Sequence, residues 1–160
     1  MSRRIPAVCM LLVSALTIGP AFAGPPGCGL PELSNSGELQ RFLSLRAVEV
    51  VKLAAGTGEG LAAWVDPSAS FNLGTGDVGR SMGTGVDGAR TLAHAMQADS
   101  YRFLGWDYMN MPADPCSRQK VEVEFVDSQA KIVSRVEFTF EAGRVVNAEG
   151  WLRSFETGRL

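Results

Sequence analysis

Leu39, Phe42, Leu43, Ala47, Val50, Val51 and Ala54 recur at the three- and four-residue spacing of one helix face, while Arg41, Ser44, Glu49 and Lys52 fall mostly on the other. Asn35 followed by Glu38 has the pattern of a capping box that opens this helix, and Gly56 stops it. Residues 61–65 make a short apolar helical turn that ends at Asp66-Pro67, because proline disfavours helical backbone in the residue before it. Residues 68–73 suit a short strand. Residues 74–88 carry six glycines in 15 positions and read as a loose, irregular segment. Asp87 is placed to cap a second main helix, with Ala89, Leu92, Ala93 and Met96 on its apolar stripe and Arg90, His94 and Gln97 opposite. Residues 101–108 predict an aromatic strand, and 110–117 a proline-containing loop. The rest alternates. Val121, Val123 and Phe125 stand against Lys120, Glu122 and Glu124; Ile132, Val136, Phe138 and Phe140 stand against Val133, Arg135, Glu137 and Thr139. Glu141-Ala142-Gly143-Arg144 predicts a tight hairpin turn, followed by a last strand over 145–155. Helix, short helix, strand, helix and four strands joined by short turns define an α+β domain with helices on one face of a curved, mainly antiparallel sheet.

The N-terminus follows a different pattern. Arg3 and Arg4 precede an apolar run over residues 5–18, then Gly19-Pro20 and the small-x-small Ala21-Phe22-Ala23. These are the three parts of a cleavable secretory signal. The run is shorter than the roughly 20 residues a bilayer-spanning helix needs. The chain thus divides into a signal peptide over 1–23, an irregular leader over 24–37 and one domain over 38–160, with the mature protein periplasmic or secreted and without a membrane span. A buried N-terminal helix of the domain is the alternative.

Cleavage of 23 residues from 160 leaves 137, enough for one core. Without Arg3 and Arg4 the 15 basic residues fall to 13 against 17 acidic ones, a net charge of −4 with no basic run. That excludes nucleic acid as the expected partner, since phosphate binding wants clustered Lys and Arg. Cys9 leaves with the signal. Cys28 and Cys116 remain as an even pair in an oxidising compartment and predict a disulfide. Two Cys and one His, far apart, are a poor zinc set, and no metal or cofactor is expected. Gly74-Thr75-Gly76-Asp77-Val78-Gly79 matches GxGxxG, but no helix opens on it within a βαβ unit, so it does not predict a dinucleotide site.

The order of elements resembles the NTF2-like superfamily, in particular SnoaL-like proteins. Three segments carry the resemblance: residues 61–71, Leu-Ala-Ala-Trp-Val-Asp-Pro-Ser-Ala-Ser-Phe; residues 88–92, Gly-Ala-Arg-Thr-Leu, at the opening of a third helix; and residues 138–146, Phe-Thr-Phe-Glu-Ala-Gly-Arg-Val-Val, at the last hairpin. The resemblance spans about residues 38–155 and rests on order and spacing. It implies a cone: a curved sheet wrapped around the long N-terminal helix, with a pocket at the open end. The glycine-rich segment reads as a mobile flap over that mouth, since glycine loosens loops. The resemblance implies Trp64 and Trp151 as pocket walls. The superfamily includes isomerases, cyclases, dehydratases and hydrolases as well as non-catalytic modules, so fold leaves the reaction open.

The residues themselves narrow the chemistry. Steroid isomerases of this fold carry a carboxylate base early in the first strand, where this chain has Phe71-Asn72-Leu73. Asp66, beside Pro67, reads as a turn residue. His94 is the single histidine, and its helical phase points it to solvent. Tyr101 and Asp107 share a strand parity and form a candidate polar pair, with packing and a strand-end position as their bland roles. No catalytic residue is assigned. Two functional readings follow: an exported pocket protein that binds a small, largely apolar molecule with Trp64, Tyr101, Asp107 and Trp151 around it, or a non-catalytic module that meets a protein partner, including a second copy through the sheet.

Overall fold

The structure is a computed structural model and describes residues 28–104 and 113–155. The expected signal peptide over 1–23, and Trp106 and Asp107, lie outside the described residues.

The first apolar stripe becomes α1, Ser36–Ala55. The Asn35 side chain accepts from the Glu38 N–H at 3.0 Å, and the Glu38 carboxylate reaches back to the Ser34 N–H at 2.8 Å. The box thus closes one residue upstream of the usual position, and the helix starts at Ser36, directly after its Asn35 cap. Leu39, Leu43, Ala47, Val50, Val51 and Ala54 are all buried. So is Ser44, which the periodicity put on the polar side. α2, Leu61–Trp64, leads straight into β1, Val65–Thr75, longer than the strand expected at 68–73.

The glycine-rich stretch is the main correction. It forms no irregular flap. It folds back as β2, Val78–Thr84, antiparallel to β1, with Thr75 opposite Val78 and Gly74 opposite Gly79. The GxGxxG match is therefore the tip of a hairpin. Strand pairing uses backbone groups, and an edge strand with both faces exposed needs no alternating apolar pattern. α3, Gly85–Met96, follows directly. It is capped by Thr84 without a side-chain bond, and Asp87 sits inside the first turn instead of at the cap, where its charge still favours the helix N-terminus. Gly88 lies where α3 crosses β2: a Cβ there would stand 2.6 Å from the Gly83 carbonyl carbon and 2.9 Å from the Phe71 ring.

β3, Ser100–Phe103, β4, Gln119–Asp127, β5, Ile132–Glu141, and β6, Arg144–Ser154, complete a curved six-stranded sheet in the order β2-β1-β6-β5-β4-β3. β1 and β6 run parallel; every other pair is antiparallel. Register shifts at Phe71/Asn72 and Thr139/Phe140 are the places where such a sheet bends. The β5–β6 turn is Ala142 and Gly143, both with positive φ, as a two-residue hairpin requires.

The inner face carries Phe71, Leu73, Val123, Phe125, Val136, Phe138 and Ala148 against α1 and α3, all buried. This α+β arrangement, a sheet wrapped around the N-terminal helix, is the one the sequence implied. Cys28 and Cys116 are joined, with Cα atoms 5.7 Å apart. Around that bond the leader, the loop before β4 and the β5–β6 turn meet. Gly29 N–H donates to the Ala142 carbonyl at 2.9 Å, and Ala142 N–H donates to the Cys116 carbonyl at 2.8 Å. Arg46 on α1 donates to the Gly29 and Gly143 carbonyls at 3.2 and 2.9 Å.

Candidate functional site

The interior of the cone is filled. Leu43, Val50, Leu61, Phe71, Phe138 and Phe140 are each at most 1% exposed. A hollow of about 450 Å³ opens beyond this filled zone, where the C-terminal ends of α1 and α3 meet β3 and β4. α1 contributes Val48, Val51, Lys52 and Ala55. α3 and the bend after it contribute Ala93, His94, Gln97, Ala98 and Asp99. The strands contribute Ser100, Tyr101 and Phe125. Val48, Val51, Ala93 and Phe125 are buried and make an apolar floor. The polar side chains stand around it, and Lys52, His94, Gln97, Asp99 and Ser100 are exposed.

Local sequence explains this division. Val48 and Val51 belong to the apolar stripe of α1, and Lys52, one residue on, turns outward in the last turn, where a cation suits the helix C-terminus. Its ammonium lies 5.1 Å from the centre of the Tyr101 ring. Tyr101 shares strand parity with Phe103, and their rings stand 5.6 Å apart on the inner face. Asp99 is committed to the fold. Its carboxylate accepts from the Ser128 N–H at 2.9 Å, the Ser128 hydroxyl at 3.0 Å and the Ser100 hydroxyl at 2.9 Å, so it braces the β4–β5 turn. These bonds, the Ser128 N–H foremost, hold its pKa below the ordinary carboxylate value. It is an ionised anchor and a poor proton acceptor at neutral pH.

The aromatic residues singled out from the sequence do not converge. Tyr101 lines the hollow. Trp64 sits elsewhere, half-buried beside a shallower depression of about 160 Å³ with Phe42, Leu45, Arg46 and Glu49. The Arg46 guanidinium lies between the Phe42 and Trp64 rings, 4.5 and 4.4 Å from their centres, and its burial lowers its pKa. Trp151 is on the outer face of the sheet and 42% exposed. Asp107 is outside the described residues, so its pairing with Tyr101 has no geometry here. Asp66 is a turn residue: its carboxylate accepts from the Ser68 N–H at 2.9 Å and the Ser68 hydroxyl at 2.6 Å, and the hydroxyl leads in lowering its pKa. His94 is exposed, as its helical phase requires, yet it borders the hollow.

Lys52, Gln97 and the Val48–Val51 floor were not identified from the sequence as site residues. Their helical phases were legible, but the convergence of two helix ends on β3 is a tertiary fact. Among the described residues no three His, Cys, Asp or Glu side chains are grouped as metal ligands would be.

No protein-family model matches the sequence, and no curated protein does. Solved structures similar to it include an NTF2-like protein of unknown function from Methylobacillus flagellatus KT, at 18% identity over 71% of this chain and 91% of that one, with a TM-score of 0.46. A putative ketosteroid isomerase from Kribbella flavida DSM 17836 is 11% identical over 76% and 84% of the two chains, with a TM-score of 0.44. A protein of unknown function with a cystatin-like fold from Methylobium petroleophilum PM1 is 13% identical over 81% and 84%, with a TM-score of 0.43. The fold stands on its own element order and pairing, and nothing about chemistry is taken from these likenesses.

Proposed function

We propose that this is an exported protein that binds a small, largely apolar molecule in the hollow between the ends of α1 and α3 and the strands β3 and β4. The observation that carries the reading is the hollow itself, with its buried floor of Val48, Val51, Ala93 and Phe125 beneath a polar rim. Its volume falls in the usual range of about 300–1,000 Å³ for small-molecule sites, which combine apolar walls with a few polar groups. Export is supported by the three-part N-terminus and fits the Cys28–Cys116 bond, since such bonds persist in oxidising compartments. No helix among the described residues is long and apolar enough to cross a membrane. No reaction is assigned.

The test is binding to the disulfide-bonded mature chain. Apolar compounds that bind should raise its melting temperature by mass action on the folded state and perturb the NMR signals of Val51, Tyr101 and Phe125. Ala55→Trp, at an exposed wall position, should fill the hollow and abolish the response without lowering stability. Perturbations confined to other residues, or no thermal shift across a broad apolar library, would overturn the reading. Export is tested by N-terminal sequencing from the native host, where the chain should begin at Gly24.

A second reading, a module that meets a protein partner or a second copy through the sheet, is favoured by Trp151 and Val78, 42% and 71% exposed. Sedimentation of the wild type and Trp151→Asp separates it: a dimer lost in the variant supports this reading, and a monomer in both removes the homodimer.

A further inference from the structure

We infer that the molecule taken by this hollow carries an anionic end, a carboxylate or an equivalent acceptor group, that pairs with Lys52. The inference rests on the pocket reading above and adds the charge of the ligand.

Asp99, the one carboxylate of the lining among the described residues, accepts from Ser100 and Ser128 on both oxygens. The Ser100 hydroxyl is spent on Asp99. Among the described lining residues Lys52 and Asp99 carry charge, and Lys52 is the one of the two without a hydrogen-bond partner. Among the described residues its ammonium has no carboxylate partner and no hydrogen-bond acceptor; its one recorded contact is the Tyr101 ring face. Three N–H donors thus stand uncommitted at the edge of an apolar floor. The ring contact orients the ammonium without consuming those donors, because a cation over a π face bonds through the ring quadrupole.

A cationic ligand fits less well. The aromatic face it would seek is taken by Lys52, and the Asp99 carboxylate, though charged, already accepts three hydrogen bonds from Ser128 and Ser100. The carbonyls at the helix ends are also partly claimed: Gly56 N–H binds those of Lys52 and Leu53, Gly58 N–H binds that of Leu53, and Gln97 N–H binds that of Ala93. That limits the negative potential the two helix ends project into the hollow. Among the described residues the other polar rim groups, His94, Gln97 and the Tyr101 hydroxyl, can each donate to an anion as well as accept. Among the described residues the uncommitted charge on the rim is the Lys52 ammonium, and what the floor accepts is hydrocarbon. Together these describe an amphiphile with an apolar body and an anionic head.

Three probes with one body and different heads test this: 2-naphthoate, 2-naphthylmethanol and 2-naphthylmethylammonium. Each is titrated into the disulfide-bonded mature chain by calorimetry, with NMR locating the site. The naphthoate should bind at least about tenfold tighter than the alcohol, and the ammonium weakest, with shifts at Lys52, Val51 and Tyr101. Lys52→Met keeps the apolar stem and should bring the naphthoate to the level of the alcohol. Lys52→Arg should keep the preference, which separates charge from lost packing. If alcohol and naphthoate bind alike, or the ammonium binds best, the charge inference is overturned and the pocket reading stands. If none of the three perturbs the hollow, the pocket reading falls and the inference with it.

Discussion

Arg153 on β6 reaches over β5 to donate to Glu124 on β4, Nη2 to Oε1 at 2.6 Å. Arg102 on β3 donates to the other oxygen of the same carboxylate from the opposite side. Glu124 alternates with core residues and so belongs to the outer face, yet its side chain is 2% exposed, covered by arginines that are 48% and 60% exposed. The pair of arginines ties β3, β4 and β6 together over the top of β5. Glu124→Gln should destabilise the fold by about 2 kcal/mol, less than a fully buried ion pair because both arginines remain hydrated. Urea unfolding measures it. A loss below ~0.5 kcal/mol would make the contact ornamental.

The same cross-strand row continues to Trp151 and Gly74. The Trp151 ring lies against the Gly74 backbone, so a Cβ on Gly74 would overlap two atoms of the ring edge and stand 2.8 Å from the Val78 carbonyl oxygen. Gly74→Ala should cost about 1–3 kcal/mol, as overpacked sites do. Trp151→Ala in the same chain should recover part of that loss, but the Val78 clash should keep the double variant below Trp151→Ala alone. A thermodynamic cycle of the four proteins gives the coupling.

Acid should act through Asp99. Its folded pKa lies below the unfolded value of about 3.9. The stabilisation is therefore complete above about pH 5 and is lost as pH falls through the unfolded and then the folded value. Asp66, held by Ser68, adds to it with the same sign. Asp99→Asn should melt lower than wild type at pH 7, and the two melting curves should converge by about pH 2. Parallel curves over that range would show that the β4–β5 brace does not depend on the charge.

The Cys28–Cys116 bond closes a sequence separation of 88 residues. Chain entropy for such a loop gives at most about 4.6 kcal/mol. Cys28→Ser with Cys116→Ser should lower stability by less than that ceiling, since Arg46 and Ala142 still hold Gly29. Thiol counting on unreduced protein from its native host should find no free cysteine in the mature chain.

Local physics is legible in the bare chain wherever one residue type meets one backbone need. The α1 stripe, its Asn35 cap and Gly56 stop, the α3 stripe and the Ala142-Gly143 turn all follow from periodicity, capping and positive φ, and the Cys28–Cys116 pairing from the expectation of an oxidising compartment. β2 is not legible, because an edge strand exposed on both faces has no apolar rhythm and forms through backbone bonds to β1. The burial of Glu124 is not legible either, since arginines from two other strands, one of them 29 residues away, create it. The site falls on the same side of that line. Trp64, Tyr101 and Trp151 share a residue class but stand in three different surroundings, because parity along a strand says which face a ring takes and not what lies across from it. The hollow exists only where the ends of α1 and α3 converge on β3 and β4, and the distance between those ends is set by the packing of the whole core rather than by any segment of the chain.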